Sequence, residues 1–309
     1  MEGGEAAAAA PVLGQLDPDA PTPLGPRSLV RAVAAEPVTA LLVQRALVME
    51  LSHPAVAAGV AHHSGFRTLP LHRAWVTADA ALRLVFGDTA VARGAAEQIY
   101  RTHDRIEGAG DDGRPYTAHD ASLLLWVWAT LVDTAEVAFT RWVRPFGPAE
   151  ASRFHEEMVA LGRFLGIPAA LLPAGRADFS AYLETMLDDP ELGSSPTSRE
   201  TARQVLWFRH WTVPPAAVRV ERALALRTLD RRLVERLGLG VPAADARLGE
   251  RLDGLLKAGY RRLPPSRRWG PPAYATLRGR QLALAGALRW PGLARRATVS
   301  WARHGAGSQ

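Results

Sequence analysis

His103 lies four residues after Ile99 and three before Ile106, on an apolar stripe that begins with Val91 and Ala95 at helical spacing. An imidazole so placed has two readings. It is a buried ring whose nitrogens bond backbone or water, or a neutral axial ligand to a haem iron in an apolar pocket. Arg73 and Thr77 stand one turn apart on a common helix face. A guanidinium and a hydroxyl together suit an anionic carboxylate, such as a haem propionate, or a polarised dioxygen species. His53, His62 and His63 offer further nitrogen donors, although adjacent histidines on a helix point in different directions. Asp120 precedes the apolar run Ala121 to Thr130 and reads as the N-cap of a buried helix.

Several chemistries are excluded. The chain has no cysteine, which removes disulfides, zinc ribbons, iron–sulfur clusters, thiolate haem ligation and cysteine nucleophiles. His155-Glu156-Glu157 starts like a zinc-protease helix, but position 159 is Val where the second histidine belongs. Neither a Gly-x-Ser-x-Gly elbow nor a P-loop is present.

Helices must position these residues. Segments dense in Ala, Leu and Arg cover roughly 38–52, 54–63, 73–86, 89–107, 119–143, 148–165, 178–188, 198–210, 215–237 and 245–258, with Gly and Pro between them. Alternating strand patterns joined by two-residue turns are missing, and no internal repeat is visible. The expectation is an all-α protein with a disordered leader over 1–26 and a single large domain of about ten helices over 27–258. A basic, Arg- and Trp-rich segment follows over 259–309. With 309 residues, 48% hydrophobic and 22% charged, the chain can bury a large core.

Charge is unevenly spread. Before Arg199 there are 15 basic and 24 acidic residues; from Arg199 onward there are 22 and 7. No acid follows Asp253, while Trp269, Trp290 and Trp301 do. Such a tail suits peripheral contact with an anionic membrane surface, and no nucleic-acid motif accompanies it. The leader has acids where a secretory signal has bases, and no run of about 18 apolar residues appears, so the expected location is cytoplasmic.

Several short motifs recur in a fixed order. They are His53-Pro54-Ala-Val-Ala-Ala-Gly59-Val60, Arg73-x-x-x-Thr77, Phe86-Gly87-Asp88, His103 with Gly108, and Tyr116-x-Ala118-x-Asp120. Trp126-Val-Trp-Ala-Thr130, Glu157, Gly166-Ile-Pro168, Leu172-Pro173 and Tyr182 with Leu187 complete the set. Over roughly residues 28–240 this order resembles the family of the latex-clearing (rubber) oxygenases and the mycophenolic-acid-pathway oxygenase. The resemblance implies an all-α domain enclosing a b-type haem pocket, a histidine on the iron, and dioxygen as co-substrate. It also implies oxidative cleavage of double bonds in hydrophobic isoprenoid chains.

Carried over by motif, His103 is the iron ligand, and Arg73 and Thr77 are catalytic and haem-pocket residues. In the rubber oxygenases a lysine precedes that threonine; here the residue is Val76, and the only lysine is Lys257. No catalytic carboxylate is assigned, though Glu50 lies near the helix that would carry one. The expected function is a haem b-dependent oxygenase, an oxidoreductase using dioxygen on a hydrophobic, unsaturated small substrate, with residues around Trp126 as its wall. Two alternatives stay open: a non-catalytic haem or lipophilic-ligand binding protein, and a helical interaction protein with a basic membrane-surface tail.

Overall fold

Helix starts follow first-turn chemistry throughout the structure, a computed structural model that describes residues 24–25, 27–65, 70–211 and 213–264, with backbone only for 70–75. Among the described residues the helices are α1 (Leu29–Ala34), α2 (Val43–Ser52), α3 (Pro54–His63), α4 (Pro70–Phe86), α5 (Thr89–His103) and α6 (Ala121–Trp142). They continue with α7 (Pro148–Phe164), α8 (Arg176–Asp188), α9 (Pro196–Leu206), α10 (Pro215–Thr228), α11 (Arg231–Arg236) and α12 (Ala243–Gly259). Prolines open α3, α7, α9 and α10, where a missing N–H costs nothing. Side chains of Ser28, His53, Asp88, Asp120, Ser195 and Asp230 accept first-turn N–H groups of α1, α3, α5, α6, α9 and α11.

The all-α expectation holds, with two local corrections. The helix expected over 89–107 stops at His103, and a small antiparallel hairpin follows, β1 (Glu107–Ala109) paired with β2 (Pro115–Thr117). Gly108 faces Tyr116 in this pair, and a Cβ there would lie 2.9 Å from the Tyr116 Oη. The helix expected over 215–237 breaks at Leu229–Asp230, because Asp230 caps Arg232 N and starts α11 anew. A good local cap outweighs continuous apolar periodicity there. The expected leader and most of the basic segment lie outside the described residues.

α6 is the axis of the core. Its length and composition would let it cross a membrane, but here α1, α2, α7 and α12 pack around it. Trp126 and Trp142 are fully buried, and Trp128 nearly so. Their indole N–H groups are spent on Met49 O (3.1 Å), Asp253 Oδ1 (3.0 Å) and Met158 O (2.9 Å), which tie α2, α12 and α7 to the axis. Arg45 of α2 adds a buried junction, donating to Asp133 (2.5 Å), Thr134 (2.6 Å) and the Thr228 carbonyl (3.2 Å). α4 and α5 pack on each other, and their apolar faces reach Phe164 and Leu165 at the end of α7.

Candidate functional site

Glu50 is the most perturbed acid of the described fold. It sits in the last turn of α2, among the buried residues Val48, Met49, Leu51 and Ser52. Burial pushes its carboxyl up to about 8. The side chain is only partly covered by the protein. No hydrogen bond or ion pair satisfies it among the described residues, where a buried carboxylate normally has a cation beside it. Burial thus favours the protonated form of Glu50.

The α2 face that ends at Glu50 is apolar and uncovered. Val43 is 50% exposed, Leu47 is half-buried, and both share a face with Glu50 at i, i+4 and i+7. α6 has a matching stripe, with Leu124 and Val127 half-buried and Leu131 47% exposed at its middle. Trp126, by contrast, is sealed into the core between α2, α9 and α11. Its indole holds the Met49 carbonyl, next to Glu50, while Leu124 and Val127 beside it on α6 keep some apolar surface.

His103 ends α5 as a half-buried side chain. Its ring meets the edge of His119, with centroids 6.0 Å apart and planes at 70°. His119 donates from Nε2 to Asp104 Oδ1 (2.8 Å) and lies against Tyr100 with centroids 4.2 Å apart. His119 directly precedes Asp120, whose carboxylate caps α6 at Ser122 N (2.8 Å). Met49 is held by Trp126, seven residues further along. His119 thus sits just before the start of α6, and Trp126 within its first half.

Thr77 is exposed on α4, and Val76 beside it is half-buried. The Arg73 backbone is helical, but its side chain lies outside the described residues. The remaining motif residues do structural work. His53 caps α3, its Nδ1 accepting from Ala55 N (3.2 Å), while burial lowers its affinity for a proton. His62 shares a hydrogen bond with Tyr116 Oη (3.0 Å), and His63 bonds the Glu107 carbonyl (2.9 Å). Gly59 admits the hairpin: a Cβ there would meet Ile106 at 3.3 Å and the Tyr116 ring at 3.5 Å. Glu157 caps α1, accepting from Ser28 Oγ (2.7 Å) and Val30 N (3.0 Å). His155 is buried beside Trp128 and Phe179 and donates to the Pro173 carbonyl (3.1 Å).

Among the described residues no three His, Asp or Glu side chains converge as a cage for a bare metal ion. A b-type haem asks for less, one neutral imidazole and apolar walls, because it brings its own four nitrogens. His103 offers the imidazole, and the half-covered stripes of α2 and α6 offer apolar surface, so the donor set fits that group. The sequence reading left Glu50 unassigned. Its signal is an acid inside the apolar run Leu47-Val-Met-Glu-Leu51 with no Lys or Arg within a turn.

The class is a mainly helical domain in which His103 lies beside His119 at the start of α6 and Glu50 makes no hydrogen bond or ion pair among the described residues. The chain belongs to the family of ER-bound oxygenase mpaB/B′ and rubber oxygenase catalytic domains, whose family model matches residues 30–258. Membership makes it an oxygenase-type catalytic domain and places it among the oxidoreductases. Nothing among the curated proteins or the solved structures matches the chain.

Proposed function

We propose that this chain is a haem b-dependent oxygenase acting with dioxygen on a hydrophobic, unsaturated small molecule. The observation that carries the reading is Glu50, a carboxyl raised by burial at the end of an apolar stripe, with no hydrogen bond or ion pair among the described residues. Such a group costs stability and is retained where a ligand needs it. His103 would hold the iron from the end of α5, and Arg73 with Thr77 would anchor a propionate from α4. Bound there, the haem supplies the activation of dioxygen. The protein supplies the rest. Val43, Leu47, Val127 and Leu131 take up the apolar body of the substrate and exclude water. Glu50 Oε holds a proton at neutral pH and exchanges it with the substrate as bonds rearrange.

The test is an absorption spectrum of protein purified with haem available, oxidised and then reduced. A Soret band is expected in the wild type and is expected to vanish in His103→Ala. A His103→Ala variant that keeps full haem occupancy removes His103 from the iron. A colourless wild type that refuses added haem overturns the whole reading. Stoichiometric haem without oxygen consumption on any unsaturated lipophile would leave a binding protein in place of an enzyme.

A further inference from the structure

The connection between α9 and α10 runs Trp207-Phe208-Arg209-His210-Trp211, and its chemistry has no part in the site above. Among the described tryptophans, Trp126, Trp128 and Trp142 are sealed in the core, whereas Trp211 is 91% exposed. An indole exposed at a loop tip offers an apolar ring and a polar N–H, the combination that suits a lipid–water interface. Its neighbours make it a composite surface. The rings of Phe208 and His210 stack with centroids 6.2 Å apart, and those of His210 and Trp211 lie 5.9 Å apart. Arg222 lies 5.3 Å over the Trp207 ring and pins the root of the loop to α10.

Charge decides what fits there. Between Glu200 and Glu221 the chain has no acid. Arg203 and Arg209 are exposed and, among the described residues, join no ion pair, whereas many arginines of this fold are paired with carboxylates. The loop therefore presents one protruding indole flanked by two free guanidinium groups. A stable protein interface needs about 800 Å² a side with an apolar centre, which one tryptophan does not provide. A tryptophan seated at headgroup depth with arginines on the phosphates needs only this much.

We propose that the α9–α10 loop is a membrane-docking element that places Trp211 in the headgroup zone of an anionic lipid surface, with Arg203 and Arg209 on its phosphates. The inference does not depend on haem. It names a site distinct from the basic segment 259–309, which lies largely outside the described residues.

The experiment is sedimentation of the full-length protein with vesicles of phosphatidylcholine alone or mixed with phosphatidylserine. Trp211→Ala and Arg203→Gln/Arg209→Gln are compared with the wild type at low and high salt. Wild type should partition onto the anionic vesicles. Trp211→Ala should weaken that partition about tenfold at either salt concentration. Each arginine should contribute about fivefold at low salt, and that contribution should disappear at high salt. Because all three side chains are exposed, circular dichroism and melting temperature should not change. A Trp211→Ala protein that partitions like wild type overturns the proposal and hands any binding to the C-terminal segment. Equal binding to phosphatidylcholine alone overturns the role of the arginines. A vesicle-free dimer that Trp211→Ala abolishes would make the loop a protein interface instead.

Discussion

At the scale of single residues, Glu50 is an acid whose carboxyl burial raises and which makes no hydrogen bond or ion pair among the described residues. The folded protein holds the Glu50 proton up to about 8, whereas an unfolded chain releases it near 4.5. Folded stability therefore falls as pH rises from about 4.5 toward 8, by an amount on the order of 4 kcal/mol, and is level above that range. Glu50→Gln removes the carboxylate without removing its shape. We expect the variant, without ligand, to melt higher than wild type at pH 8 and equally at pH 4, while substrate turnover falls about a hundredfold or more. Thermal melts at the two pH values decide it; a Gln variant less stable at pH 8 would show that Glu50 has a partner in the fold. His103 was legible from its place on an apolar stripe. Glu50 was not, because its lack of a counter-ion depends on what other helices bring near it.

Elements are held together at polar junctions. α12 is fastened to the core by two buried aspartates. Asp245 accepts from Arg219 (3.1 Å) and Arg222 (2.8 Å). Asp253 accepts from Arg141 (2.6 Å), Trp142 (3.0 Å) and Lys257 (2.9 Å). Burial alone would raise the Asp253 carboxyl, but those three donors hold it far below the usual carboxylate range. A depressed folded value means that the stabilisation is present above about pH 4 and is lost as pH falls further. Asp253→Asn should cost about 3 kcal/mol at pH 7, because it strips the Arg141 and Trp142 donors of their shared anion. Urea midpoints should differ at pH 7 and converge below pH 4; midpoints that agree at pH 7 would remove Asp253 from the account of how α12 is held. The β1–β2 hairpin is a second such junction. Asp111 at its tip accepts from Thr197 N (2.9 Å) and Oγ1 (2.7 Å) in the first turn of α9, and Arg114 pairs with Glu191 (3.0 Å). The glycines around it marked a break in the sequence. That the break becomes a strap onto α9 depends on residues some 80 positions away.

For the whole molecule, Val43 and Leu47 on α2 and Val127 and Leu131 on α6 keep apolar surface that the proposed haem and substrate would cover. Binding of a group that covers this surface stabilises the native state by linkage, about 2.7 kcal/mol at a hundredfold excess over Kd. Haem addition should therefore raise the melting temperature of wild type but not of His103→Ala. Amide exchange should slow most along Val43–Glu50 and Leu124–Leu131. Protection confined to the protein surface would place the ligand elsewhere. The sequence alone determined the helical class, the N-cap at Asp120, the Gly and Pro breaks between helices, and the place of His103 on a helical segment. All of these follow from contacts within a turn or two of chain. Tertiary packing alone decided that the Trp126 indole anchors Met49, that Glu157 is a cap, and that Glu50 meets no cation among the described residues. Burial and counter-ion supply are properties of neighbours far apart in sequence, and no local pattern encodes them.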